Sequence, residues 1–246
     1  MRNYHLPILL GLTTTVAVYA PLPVQAEPKT YQEVSGIESI RFESEGLAIL
    51  ESLGLSLASV EGTAEPAPGF PYAWNLIPPS SDPNIKGTTF TFSYDDETGV
   101  YIPISGTEEF SGRIAFNVDT NKLAFSPQIE FKDFSISFNQ NFDFFVETPG
   151  LRLFDIESSG LPTIDLENQT WSLGDINLIV SQEFSDYLVN AGASQSIAGL
   201  KLLEAQGERD FIEADSKTVN EPGSVLAILA AASAALAVGK CHRSAS

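Results

Sequence analysis

The residues of this chain that could do chemistry are almost all carboxylates. Between Glu27 and Glu221 there is no histidine, cysteine or methionine, and 32 acidic residues against ten basic ones give this stretch a formal charge of −22. Without histidine or thiol, Ser-His-Asp catalysis, Cys-His catalysis and zinc sites built on those ligands have no residues to use. The negative charge repels nucleic acid, so we expect no nucleic-acid partner.

Paired carboxylates are the remaining candidates for catalysis. Glu108-Glu109 and Asp95-Asp96 are adjacent acids, and a glycoside hydrolase needs two carboxyl groups about 5 to 9.5 Å apart across a cleft. Acids in turns more often serve as solvated turn residues. We therefore predict no catalytic residues and no enzyme activity, and keep a carboxylate-based glycan hydrolase as the third hypothesis.

Two acidic clusters could hold calcium. Asp95, Asp96 and Glu97 form one cluster, and Asp119 with Asn121 forms the other. Calcium prefers several oxygen ligands, which such loops offer, although neither cluster has the spacing of an EF-hand. The alternative, which we favour, is that both clusters are hairpin turns kept soluble by charge. No other metal and no cofactor is predicted.

A proline-rich stretch, 66–83, carries aromatic residues at alternate positions. Phe70, Tyr72 and Trp74 on an extended backbone could present a flat surface to a sugar ring or a peptide. The alternative is that these aromatics pack over an open end of the domain. We favour packing and keep ligand contact as the second interpretation.

The body of the chain predicts an all-β fold. From Thr88 onward apolar and polar residues alternate, which is typical of half-buried strands, and turn residues separate the alternating segments. This pattern indicates a β-sandwich or a barrel-like fold with one or two short helices. The predicted strands are 55–63, 90–94, 100–104, 114–118 with a return over Leu123 and Phe125, 129–131, 134–138, 142–146, 151–156, 164–166, 176–180 and 197–205.

Two helices and one strand irregularity are predicted inside this β pattern. Residues 45–53 and 182–190 have apolar residues at helical spacing, and Gly54 and Gly192 follow them as terminating residues. The apolar positions are odd-numbered up to Phe131 and even-numbered from Phe134. A strand changes faces only with an extra residue, so we predict a bulge at 132–133.

The stretch 101–106 (Tyr-Ile-Pro-Ile-Ser-Gly) and the strand over 129–136 resemble the secreted bacterial β-domains called HtaA-like. Such domains occur in surface proteins with various anchors, and some bind haem through tyrosine or histidine. The resemblance implies a secreted β-domain. The body contains no histidine and no individual tyrosine aligns, so no haem ligand is carried over.

The N-terminal residues 1–26 have the pattern of a secretory signal peptide. Arg2 supplies a positive charge, residues 8–20 are mostly apolar, and the small residues ending at Ala26 suit signal peptidase. We expect signal peptidase to cut after Ala26. The alternative is an anchor that is never cut.

The C-terminal residues 219–246 have the pattern of a membrane address. An apolar run, 225–239, predicts a short transmembrane helix, and Lys240 and Arg243 after it favour a cytoplasmic tip. The precursor should therefore be anchored with its acidic body outside. A permanent tail anchor is the alternative to a processed signal.

Glu221-Pro222, the short apolar helix and the basic tip with Lys240 and Arg243 together resemble the bacterial sorting signal called PEP-CTERM. The resemblance implies that an exosortase-like membrane enzyme cuts near Glu221 and releases or re-anchors the protein. The first proline of that signal is replaced by Asn220 here.

The chain is thus predicted to contain a signal peptide (1–26), an acidic β-rich domain (27–218) and a sorting segment (219–246). We predict an exported, non-enzymatic bacterial protein at the cell surface or in the extracellular matrix, interacting with polysaccharide or with other surface proteins. The alternative is an extracytoplasmic module that binds calcium, a glycan or a small hydrophobic ligand.

The processing prediction can be tested by mass. If the tail is a sorting signal, the mature protein starts at Glu27 and lacks residues 225–246, and replacing Glu221-Pro222 with Ala-Ala leaves a longer, membrane-held form. Intact mass spectrometry of protein from membranes and medium measures this. An unchanged size and location in the Ala-Ala variant would contradict the sorting prediction.

Overall fold

The computed structural model describes residues 29–214, which form fourteen β-strands and two short helices. The predicted all-β class is confirmed. The expected signal peptide (1–26), the sorting segment (219–246) and its helix (225–239) lie outside the described residues. The elements are β1 (Lys29–Phe42), α1 (Ser44–Leu53), β2 (Leu55–Glu61), β3 (Tyr72–Leu76), β4 (Thr91–Asp95), β5 (Val100–Ser105), β6 (Glu108–Ser111), β7 (Arg113–Val118), β8 (Gln128–Lys132), β9 (Ser135–Phe138), β10 (Phe144–Thr148), β11 (Leu151–Ser158), β12 (Thr163–Asp165), β13 (Thr170–Val180), α2 (Gln182–Asn190) and β14 (Lys201–Glu213).

Neither helix within 29–214 has the length and apolar character needed to cross a membrane.

Eight of the strands close into an antiparallel barrel. Hydrogen-bonded pairing runs in a ring through β1, β14, β13, β11, β10, β9, β6 and β3 and returns to β1. Closure leaves no unpaired edge among these eight strands and encloses their inward side chains. β4 and β5 extend from the first half of β1, β12 pairs with β13, and β2, β7 and β8 form a separate small sheet.

The long strand β1 turns two acidic residues into the barrel. Opposite β14, Glu33 pairs with Phe211 and Glu38 pairs with Gly207, with a register shift between Glu33 and Ser35. The shift adds one residue to β1, so an odd-numbered and an even-numbered residue come to face the same side. Both carboxylates are buried as a result.

The helices and the small sheet cover one side of the barrel. Phe184 of α2 packs edge-on against Phe131 of β8 and Phe154 of β11. α1 ends at Gly54, whose φ of 106° is left-handed, and α2 begins at Ser181, whose Oγ accepts a hydrogen bond from the amide of Phe184 at 3.0 Å. Both predicted helices are therefore confirmed. Gly54 ends α1 as predicted, whereas α2 ends at Ala191 with the left-handed Gly192 after it, and its start signal at Ser181 was not predicted.

Two local predictions are wrong in detail. The return strand predicted over Leu123 and Phe125 is instead β8, which pairs with β7. Leu123 lies in the connection between these two strands and is buried in the core, because a turn that starts at Asp119 carries the chain over the core. There is no bulge at 132–133. The chain leaves the small sheet after Lys132 and enters the barrel at Ser135, and Asp133 between them has a φ of 56°. Because the chain passes from one sheet to another here, the parity of the buried residues changes without an inserted residue in a strand.

Strand β14 also begins later than predicted and runs longer. Ile197 lies in the connection before it, where its side chain is buried, and the strand continues to Glu213 because both β1 and β13 pair with it.

A comparison of alanine substitutions at two glycines tests the packing where β5 ends. Gly106 (φ 87°) and Gly99 (φ 68°) are both left-handed, but a Cβ at Gly106 would collide with the backbone of Thr89, whereas nothing lies within 4 Å of one at Gly99. We expect Gly99→Ala to lower the free energy of unfolding by about 1 kcal/mol and Gly106→Ala by about 3 kcal/mol, because only the second adds a clash to the backbone strain. Urea unfolding measures both. Equal losses would contradict this packing.

Candidate functional site

The barrel encloses a cavity of about 430 Å³. This volume lies within the usual range for small-molecule sites, roughly 300–1,000 Å³. Both tryptophans of the chain, Trp74 and Trp171, line it. The remaining wall is mainly aliphatic and aromatic and includes Ile40, Ile136, Val146, Phe154, Ile156 and Leu178.

The cavity reaches the surface between three loops and edges. Pro103 of β5, Phe142 in the β9–β10 turn and Leu161 before β12 all belong to its lining. Leu161 is 71% exposed and Phe142 is 39% exposed. Large apolar side chains exposed beside an apolar cavity form a mouth through which a water-poor ligand could enter.

The cavity wall includes a buried arginine whose donors are all used. Arg209 is 2% exposed. Its Nε and one terminal nitrogen donate to Oε2 of Glu108 at 2.8 and 2.5 Å, and that nitrogen also donates to Oε2 of Glu38 at 2.7 Å. The other terminal nitrogen donates to the carbonyls of Ile37 and Glu208 at 2.7 and 3.1 Å. A guanidinium has five N–H groups, so none remains free.

Aromatic rings and a glycine hold this arginine in place. The guanidinium carbon lies 4.9 Å from the ring centre of Phe110 and 5.1 Å from that of Trp171, which are cation–π distances. A Cβ on Gly207 would lie 3.0 Å from Oε2 of Glu38 and 3.2 Å from a terminal nitrogen of Arg209. The small residue at this position of β14 leaves space for the ion cluster.

Glu33 adds a third carboxyl beside the arginine. Its Oε1 accepts a hydrogen bond from Nε1 of Trp171 at 2.9 Å, while its Oε2 has no hydrogen-bond partner and lies 4.0 Å from Nε of Arg209. Complete burial raises the pKa of Glu33 well above its ordinary value; the neighbouring Glu108 raises it further, and Arg209 opposes the shift. Burial also raises the pKa of Glu38, against the opposing effect of Arg209.

The adjacent acids Glu108 and Glu109 lie on opposite faces of β6. Glu108 points into the barrel, whereas Glu109 accepts hydrogen bonds from Ser135 at 2.6 Å and pairs with Lys86 at 2.7 Å. Alternation along a strand separates neighbouring side chains in this way. The structure instead brings Glu108 together with Glu38, from another strand, on the same arginine nitrogen.

Two of the three aromatic residues of the proline-rich stretch, Tyr72 and Trp74, belong to strand β3. Trp74 of β3 is buried, stacks on Phe134 with ring centres 4.7 Å apart and lines the cavity. Tyr72 is half-buried against the core. The ring of Phe70 lies 5.4 Å from the guanidinium carbon of Arg41. These residues therefore do not form one flat exposed surface.

The two acidic clusters form separate turns. Oδ1 of Asp95 accepts hydrogen bonds from the amides of Glu97 and Thr98, and hydrogen bonds from Thr98 lower the pKa of Asp95. Oδ1 of Asp119 accepts from the amide and the side chain of Asn121. Asp96 follows Asp95 in the β4–β5 turn. Across residues 29–214, no three His, Cys, Asp or Glu side chains are grouped so that they could hold a metal.

Sequence reasoning missed the interior cluster of Glu33, Glu38, Glu108 and Arg209. One signal was present in β14, where Leu203, Ala205, Gly207, Arg209 and Phe211 share a parity. A single arginine on an otherwise apolar face indicates a buried charge that needs partners, but its partners lie in strands remote in sequence.

The raised pKa of Glu33 predicts a pH-dependent stability difference. The folded protein retains this proton above the pH at which the unfolded chain releases it, so the contribution of Glu33 to stability is present below about pH 4.5 and is lost as pH rises toward the folded pKa. Glu33→Gln mimics the protonated form. As the pH rises, we expect the free energy of unfolding of Glu33→Gln to increase relative to that of the wild type by up to about 1.4 kcal/mol per pH unit.

Urea unfolding at about pH 5, 7 and 8.5 measures this difference on either side of neutrality. Glu167→Gln, in the exposed turn after β12, is the control for the chemical change. A constant difference between Glu33→Gln and wild type would contradict the shift.

No protein-family model matches this chain, and no curated protein matches it. Among solved structures, the C-terminal domain of HtaA from Corynebacterium glutamicum is loosely similar, with a TM-score of 0.42 and 14% identity over 74% of this chain and 99% of that domain.

Proposed function

We propose that this chain is an exported binding protein whose barrel takes up a small, mainly apolar molecule. The observation that carries the proposal is the cavity of about 430 Å³ with an apolar wall and an apolar mouth. Removing apolar surface from water supplies the affinity, and the few polar groups at one end supply orientation. This function corresponds to the ligand-binding alternative of the sequence analysis, with the ligand held inside the barrel.

The same geometry favours binding without catalysis. Glu38 and Glu108 both accept a hydrogen bond from the same nitrogen of Arg209. The two carboxylates therefore lie side by side and do not face each other across a space that a sugar would occupy. A mainly aliphatic wall also offers few partners for the hydroxyl groups of a glycan. The proposal therefore assigns no catalytic residue.

Export and surface location belong to the proposal on the strength of the terminal sequences. Signal peptidase would act after Ala26, and an exosortase-like enzyme would recognise Glu221, Pro222, Lys240 and Arg243. The protein would then present its barrel at the cell surface or in the extracellular matrix, where polysaccharide or other surface proteins are its neighbours.

Intrinsic fluorescence gives a direct test of ligand uptake. Because both tryptophans line the cavity, an apolar ligand such as decanol should change the tryptophan emission in a saturable way. The neutral dye N-phenylnaphthylamine should show a matching rise in its own fluorescence. A linear, unsaturable response of both signals would contradict a defined site.

A matched pair of variants locates the site. Ile156 lines the cavity, whereas Ile129 of the small sheet does not, and both are half-buried isoleucines in strands. We expect Ile156→Trp to weaken N-phenylnaphthylamine binding by about tenfold or more, because the indole fills the space, and Ile129→Trp to leave it unchanged. Equal affinity in the two folded variants would place binding elsewhere.

A further inference from the structure

The polar end of the cavity restricts the head group of its ligand. We propose that the barrel binds an apolar molecule carrying a cationic nitrogen, and that Glu38 and Glu108 receive this nitrogen. The inference rests on the proposed function and adds to it the chemical class of the ligand. Three features of the cluster support it.

The first feature is that the arginine cannot bind an anion. Each of the five N–H groups of Arg209 already donates to a protein oxygen within 2.5–3.1 Å. A carboxylate or phosphate ligand would have to displace Glu38, Glu108 or a backbone carbonyl from it. Such a displacement would leave a buried acceptor without a donor, which costs about 1–3 kcal/mol or more.

The second feature is a pair of unused acceptors. Glu38 and Glu108 use only Oε2 toward Arg209, and Oε1 of each accepts no hydrogen bond from the residues that the structure describes. The two residues are 6% and 4% exposed and both line the cavity. Carboxylate oxygens in such a place need a donor, and an ammonium group provides up to three.

The third feature is the balance of charge. The three carboxyl groups of Glu33, Glu38 and Glu108 lie 4.0, 2.7 and 2.5 Å from nitrogens of the single Arg209 guanidinium, so acidic groups outnumber the basic group in the cluster. A cationic head group would offset this excess of acidic groups in an apolar surrounding, whereas an anionic head group would add to it. A neutral alcohol lies between the two, because it donates one hydrogen bond without changing the charge.

Three linear ligands of ten carbons each test the head group on the full chain. Decylamine, decanol and decanoate should each be titrated against bound N-phenylnaphthylamine near pH 7. We expect decylamine to displace the dye at a concentration about tenfold lower than decanol, and decanoate to require about tenfold more than decanol. Calorimetric titration of decylamine into the Ile156→Trp variant, which needs no bound dye, controls for amine adsorbed on the acidic surface, since such adsorption would persist when the cavity is filled.

The outcomes separate the two proposals. If neither the dye nor any of the three ligands binds saturably, the proposed function fails and the head-group inference fails with it. If the ligands bind but the affinity for decanoate equals or exceeds that for decylamine, the proposed binding function is supported and the head-group inference is overturned.

Glu38→Gln tests the receiving carboxylate. Its amide oxygen can still accept from Arg209, so we expect decylamine affinity to fall about tenfold and decanol affinity to fall about threefold or less, because the alcohol loses at most one neutral hydrogen bond. Glu109→Gln, the same change on the outer face of β6, is the control and should leave both affinities as in wild type. Unchanged decylamine affinity in folded Glu38→Gln would overturn the inference, and the wild-type ligand series decides it if that variant does not fold.

Discussion

The burial of the Arg209 guanidinium constrains much of this barrel. Moving such a charge out of water costs several kcal/mol unless charged and polar partners surround it. Those partners come from remote parts of the chain, because Glu38 and Glu108 lie 171 and 101 residues away from Arg209 in sequence. The cluster is complete only when β1, β6 and β14 belong to one closed barrel, so correct closure and charge compensation depend on each other.

The same charged cluster supplies the buried polar part of the cavity wall. Phe110 and Trp171 lie over the guanidinium, and Gly207 keeps the space beside it open for the carboxylate of Glu38. The aliphatic side chains beyond this cluster do not meet across the interior, which leaves the cavity. Fixed polar groups next to an unfilled apolar space are the arrangement expected of a binding site, where orientation and affinity come from different surfaces.

The elements predicted correctly depend on neighbours in the chain. α1 and α2 carry their own end signals at Gly54 and Ser181, and the β4–β5 turn is stabilised by hydrogen bonds to Asp95. Two of the missed strands, β1 and β6, carry polar residues on their inward faces. β1 places Glu33, Gly36 and Glu38 inside and β6 places Glu108 inside, so neither shows the apolar alternation that indicates a half-buried strand.

The sequence by itself determined the all-β class, the two helices, the acidic character of the body and the absence of histidine and thiol chemistry between Glu27 and Glu221. Only the tertiary structure decided that the sheet closes, that Glu38 and Glu108 meet on Arg209, and that Trp74 lines a cavity rather than an exposed surface. The physical reason is range. Turn, cap and alternation signals act over a few residues, whereas a buried charge is compensated by whichever strands the closed barrel brings beside it.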